Sequence, residues 1–300
     1  MGVVVDAPAE ADAVPALSGL PPAELMRMER EIARRHVGRF PWGSLVWAVL
    51  NLAVWLSLWP LVLLDVVPLW LAFPVACLNV ALCYLPSHEA QHDIFARPGE
   101  RLRWLNETVG TLSVLPLVIP FRLLRLTHLE HHKHTNDPER DPDFATHADT
   151  PWGAVLASVR AKRPRGGQED TYRRVAEGVG RTDLVVEAAL YQIAFYAVLF
   201  GLALSGLAVE AALLWWLPRH VGLTYIHFYL SWAPHNPGLA KGRYRDTRGF
   251  RSRLGTVGSM GMEAHIVHHL HPRIPLLRTP RALREMRPVL EARGCRLDTF

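Results

Sequence analysis

Apolar residues along this 300-residue chain gather into long blocks instead of recurring at a helical or strand period. Residues 40–64 ("FPWGSLVWAVLNLAVWLSLWPLVLL") and 66–87 ("VVPLWLAFPVACLNVALCYLPS") carry no charge, and neither do residues 188–209. A fourth apolar region runs from about Gly206 into "HFYLSW", interrupted by Arg219. Crossing the hydrocarbon core of a bilayer takes about 20 apolar residues, so each block predicts a membrane-crossing helix. The run 108–121 ("TVGTLSVLPLVIPF") is too short and contains Pro116 and Pro120, which predicts an interfacial or re-entrant segment.

The polar stretches between the blocks predict the rest. Residues 1–21 are rich in Ala, Pro and Gly and lack a basic leader, which predicts a disordered tail and no signal peptide. Residues 22–39 ("AELMRMEREIARRHV" and its flanks) have the pattern of an amphipathic surface helix. The segment "AKRPRGGQED" at 161–170 predicts an exposed loop, and 276–300 a cytosolic C-terminal segment.

Charge fixes an orientation for this pattern. Five Lys and Arg residues lie in 27–39, fourteen in 97–181 and fourteen in 219–296, while the tight connectors at Asp65 and around Ser205–Gly206 have none. Cytosolic loops carry the excess of basic residues, so both termini and both large polar regions are expected on the cytosolic side. The predicted fold is an all-α integral membrane protein with four transmembrane helices and a cytosolic, histidine-rich cap. A soluble bundle is disfavoured by three charge-free runs of this length. Arg219 predicts either a buried partner or an early exit of the fourth helix from the bilayer.

Composition changes the picture at one residue type. The net charge of +5 follows the membrane pattern rather than an aromatic-rich basic module, so no nucleic-acid partner is expected. The three cysteines form no metal or disulfide framework. The fifteen histidines are unusual because eleven of them fall at four places. His88 and His92 ("HEAQH") share a helical face at i, i+4, and His128, His131 and His132 ("HLEHHKH") share one at i, i+3, i+4. His235 stands in "WAPHNP", and His265, His268 and His269 form "HIVHHLH". Read alone, "HEAQH" is the zinc-hydrolase pattern with Glu89 as general base. Two further HxxHH triplets leave too many imidazoles for one tetrahedral zinc, which takes about four ligands. Two ions with about four nitrogens each and open positions fit the count, and imidazole suits iron, copper, nickel or zinc.

These boxes, in this order and spacing relative to the apolar blocks, resemble the membrane-bound fatty acid desaturase superfamily. The resemblance covers roughly residues 40–275, with a C-terminal segment beyond it. "THLEHHKHTNDPERDPDF" and "APHNP…HIVHHLHP" look most like the branch with carotenoid hydroxylases, ketolases and acyl-lipid desaturases. The resemblance implies two non-haem iron ions held by His88, His92, His128, His131, His132, His265, His268 and His269, with His235 matching an additional ligand. It also implies O2 as co-substrate and oxidation of a lipid C–H bond. The product is a desaturated or hydroxylated fatty acyl chain, with a carotenoid hydroxylase or ketolase as the alternative and a membrane zinc protease as the remote one. Two features depart from the pattern: Glu89 stands where desaturases more often have Asp, and Ser231 where some acyl-CoA desaturases hold Asn. With no dinucleotide fingerprint and no cysteine set for a cluster, electrons are expected from a separate ferredoxin or cytochrome b5-like donor. Asp93, Asp137, Asp141 and Asp143 are candidates to bond the outer nitrogens of ligating imidazoles.

Overall fold

Lipid offers the backbone no hydrogen-bond partners, so charge-free runs of span length satisfy their own amides as helices. The computed structural model describes residues 17–163 and 166–297, so residues 1–16 of the predicted tail lie outside the described residues. Helix α1 (Pro22–His36) precedes α2 (Trp42–Leu63), and α3 (Leu69–Ala81) continues almost directly into α4 (Tyr84–Gln91). With α9 (Thr182–Leu204), α2 and the 69–91 rod are three helices long and apolar enough to cross a membrane. Only 17% of the α2 window and 11% of the α9 window is buried within the protein, so their apolar faces turn outward. The third span starts at Thr182, before the predicted 188, because Asp183 pairs with Arg122 and Arg181 and Glu187 with Arg122.

The fourth apolar region is helical from Ala208 to Trp232 but not uniformly α. Helices α10 (Ala208–Ala211) and α11 (Leu217–Ile226) alternate with π-helical turns at Ala212–Trp216 and His227–Trp232. The indole of Trp55 donates to the Leu214 carbonyl within the first π turn (3.3 Å). Small residues set the central crossing. Ala72, Ala76 and Val80 form an i+4 row of fully buried positions on α3, and a Cβ on Gly222 would meet Val80 Cγ1 at 2.8 Å. Only glycine lets α11 approach α3 this closely, as is usual where membrane helices associate by packing alone. Reciprocal amide–carbonyl bonds between Asn51 and Asn79 (both 2.9 Å) tie α2 to α3.

The 108–121 run enters the protein and turns back. Helix α5 (Arg103–Ser113) is followed by a 3-10 turn (Leu115–Leu117), Val118 at φ 58° and α6 (Phe121–His134). Three successive carbonyls freed by this break are met by side chains from α9 and from the segment 208–232. Trp215 Nε1 donates to Pro116 O (3.0 Å), Arg219 Nε to Leu117 O (2.8 Å) and Gln192 Nε2 to Val118 O (3.2 Å). Non-helical backbone at membrane depth survives only where protein satisfies it. Arg219 is therefore buried with a partner, and its guanidinium also lies over the Phe195 ring (5.4 Å).

Helices α7 (Pro151–Ala161), α8 (Gln168–Gly178), α12 (Gly255–Gly258), α13 (His265–Leu270) and α14 (Thr279–Ala292) lie outside the three helices of span length. The apolar face of α1 is covered by protein: Leu25, Ile32 and Ala33 pack with Ile266, Val267, Leu283 and Met286. A two-residue parallel bridge joins β1 (Arg248–Gly249) to β2 (Arg296–Leu297). Of the predicted 161–170 loop, residues 164 and 165 lie outside the described residues. Gln168 is buried rather than exposed because its amide bonds Asp143 and Tyr172.

Candidate metal centre

The break after Ala81 turns α4 so that His88 faces inward, with His92 at its C-cap. Helix α6 presents His128, His131 and His132, α13 presents His265, His268 and His269, and His235 follows the second π turn. All nine predicted histidines meet in one place. Single nitrogens of His88, His92, His128 and His268 lie within 4.8 Å of one another, and so do those of His131, His235, His265 and His269. His132 stands outside both fours, but its Nε2 is 3.1 Å from Nε2 of both His128 and His268, so it joins the first group.

Among the described residues, several of these ring nitrogens have no partner. Both nitrogens of His88, Nδ1 of His265 and His268, and Nε2 of His269 are buried without a hydrogen-bond partner. Nε2 atoms of His92 and His128 face each other at 2.8 Å, where one proton at most fits between them. Buried unpaired nitrogens are costly, and an all-imidazole donor set around two centres fits two borderline-soft cations. Burial, with the neighbouring imidazoles adding to it, holds His128, His132, His265, His268 and His269 well below the ordinary histidine value, so these rings are neutral and have lone pairs available. At His131 burial acts the same way, but Asp141 outweighs it and lifts the group to about 9.

Asp141 Oδ1 is 2.8 Å from His131 Nδ1, fixing that ring with Nε2 turned to the second group. The same carboxylate accepts the amides of Asn136 and Asp143. Asp143 is more remote, 3.9 Å from the same nitrogen. Asp93 binds Arg103 and Arg125, and Asp137 binds Lys241 and Arg140; neither meets a ligand imidazole. Glu89, the general base of the zinc-hydrolase pattern, is fully buried, and its Oε1 accepts the Leu276 amide at 2.5 Å. It ties α4 to the segment before α14 and makes no hydrogen bond to a histidine among the described residues.

Beside the centre, a cavity reaches ligands of both groups, His88, His128, His131 and His265. Leu117, Ile119, Leu223, Ile226 and Leu230 give it an apolar lining. Tyr84, Asp143, Gln168 and Tyr172 give it a polar one. His227, which also lines it, bonds Ser158 (2.8 Å). The sequence offered no signal for Tyr84, Gln168, Tyr172 or His227, since none stands in a motif and only folding brings them to the histidines.

Apolar helices of span length beside two buried histidine groups that could hold metal, with a cavity of partly apolar lining next to them, define the class: a membrane protein with a candidate metal centre. The chain belongs to the fatty acid desaturase family, whose model matches residues 64–300. It is 33% identical to an sn-1 oleoyl-lipid 12-desaturase of Anabaena variabilis over 95 residues, 30% of this chain and 27% of that one. It is 28% identical to a zeaxanthin 4-ketolase of Chlamydomonas reinhardtii, over 34% of this chain and 26% of that one. A chloroplastic sn-2 acyl-lipid omega-3 desaturase (ferredoxin) of Helianthus annuus is 22% identical over 90% of this chain and 67% of its own length. The first of these alignments spans about a quarter of the relative's length.

Proposed function

We propose that the protein is an O2-dependent, di-iron membrane oxidoreductase that desaturates or hydroxylates a lipid, with a fatty acyl chain as the leading substrate. The observation that carries this reading is the convergence of nine buried or half-buried histidines into two adjacent groups beside a cavity with an apolar lining. His88, His92, His128, His132 and His268 hold one iron, and His131, His235, His265 and His269 the other. Bound iron would supply reductive activation of O2 and removal of hydrogen from an unactivated C–H bond. The chain's own residues hold the ligand rings, exclude water from the cavity and keep Leu117, Ile119, Leu223 and Ile226 against an alkyl segment.

Four spans, with the segment 208–232 as the fourth, place both termini and the centre on the cytosolic side, where a soluble carrier delivers electrons. The ferredoxin in the name of the Helianthus relative supports a ferredoxin-type donor. A carotenoid ring is the second substrate reading, favoured by the ketolase relative and by the polar part of the cavity lining. A zinc protease is disfavoured because Glu89 is held by the Leu276 amide. Lipid and pigment analysis of cells expressing the chain with a ferredoxin system tests the reading: a new double bond or a new oxygen supports it. Protein with one zinc, no iron and unchanged lipids overturns it.

A further inference from the structure

The cavity is half mismatched to a plain alkyl chain. Four polar side chains, Tyr84, Asp143, Gln168 and Tyr172, line it, and the two tyrosine hydroxyls donate over long distances. The Tyr84 hydroxyl meets Gln91 Oε1 at 3.3 Å, and the Tyr172 hydroxyl meets Asp143 Oδ1 at 3.4 Å. Hydroxyl bonds to oxygen normally close to about 2.7–2.8 Å. The Gln168 amide bridges Tyr172 (3.0 Å) and Asp143 (3.2 Å), so this set is held as one unit from α8 and the 141–147 loop. It stands directly against the centre: Asp143 Oδ2 is 3.9 Å from His131 Nδ1, and the Tyr84 and His88 rings are 5.9 Å apart. Methylenes packed on such groups would leave them weakly bonded and dry, which costs free energy. An oxygen on the bound molecule would instead offer the hydroxyls an acceptor at normal distance.

Resting on the di-iron reading above, we propose that Tyr84, Gln168 and Tyr172, with Asp143, form a hydrogen-bonding subsite for an oxygen of the lipid. That oxygen is a hydroxyl or carbonyl standing a few carbons from the reacting C–H bond. The tyrosine hydroxyls donate to it, Gln168 spends both amide hydrogens holding Tyr172 and Asp143 in place, and Asp143 accepts from it where it is a hydroxyl. The preferred substrate is therefore an already oxygenated lipid, and the apolar lining receives the hydrocarbon beside the oxygen. A site built to bond a substrate hydroxyl discriminates strongly against the analogue without it, because its own polar groups are then left unpaired.

Two pairs of probes that differ by hydroxylation test this: β-carotene against zeaxanthin, and oleoyl against 12-hydroxyoleoyl lipid. Binding to the full-length, iron-loaded protein is measured without O2, and turnover separately with the ferredoxin system. In at least one pair the oxygenated member should bind tenfold tighter or more. Tyr172→Phe and Tyr84→Phe should each shrink that ratio, whereas Ile119→Ala should weaken both members alike. Equal binding within both pairs, or phenylalanine variants that weaken both members equally, overturns the subsite. A binding preference without turnover of any probe keeps the subsite and overturns the oxidative reading instead.

Discussion

At the scale of single residues, the difference between a histidine motif and a metal centre is what surrounds each ring. Asp141 orients His131, one of the proposed ligands, by holding Nδ1 at 2.8 Å. Loss of such an outer contact lowers metal affinity about 10–100-fold. Asp141→Asn should therefore release iron from the second group at lower chelator concentration, read as iron per chain across a chelator series. His268→Ala removes a fully buried histidine, a proposed ligand, from the first group. It should leave purified protein with about half its iron and no lipid oxidation, and full activity in this variant would place α13 outside the site. Glu89 teaches the opposite lesson. Its neighbours in sequence are what a hydrolase needs, yet its neighbours in space are the Leu276 amide and the interior of the protein.

Among the elements, the re-entrant turn at 115–118 is where sequence and structure trade most information. Pro116, Pro120 and the short apolar run announce a break, but they do not say what satisfies its carbonyls. Arg219, which interrupts the fourth apolar region, is the answer for Leu117. Arg219→Met keeps the volume and removes the donor, leaving a buried carbonyl unpaired. A loss of about 1–3 kcal/mol is expected, read as a lower unfolding temperature in detergent; an unchanged temperature would mean that the carbonyl finds another donor. The cavity depends on the same turn, since Leu117 and Ile119 line it from either side of Val118.

Across the whole molecule, the N-terminal helix is tied to the third histidine box. Glu29 is fully buried on α1 and bonds His271 Nε2 (2.9 Å), the Tyr244 hydroxyl (2.8 Å) and Arg243 (3.2 Å). Arg243 in turn donates to the Leu270 carbonyl at the end of α13. Burial alone would raise Glu29, but His271, Tyr244 and Arg243 outweigh it and hold the carboxyl below its usual range. A lowered acid contributes stability that is present above its unfolded value of about 4.3 and is lost as pH falls through the folded value. Metal-free protein should therefore lose stability on that acid limb. In Glu29→Gln the limb should flatten and stability at neutral pH should fall, measured by thermal unfolding from pH 3 to 7.

The sequence by itself determined three helices of span length, the positions of the turns at Asp65 and Gly206, and the nine histidines. Each is a local property: run length sets what can cross a bilayer, and i, i+3, i+4 spacing sets which rings share a face. Tertiary structure alone decided how nine imidazoles divide into five and four, because that division mixes rings from α4, α6, α13 and the segment after Trp232. It also decided that Asp141, and not Asp93 or Asp137, meets a ligand ring. The polar lining of Tyr84, Gln168 and Tyr172 belongs to the same category. Contacts between residues some 25 to 90 positions apart leave no period or motif in one chain, and only packing brings them to one wall.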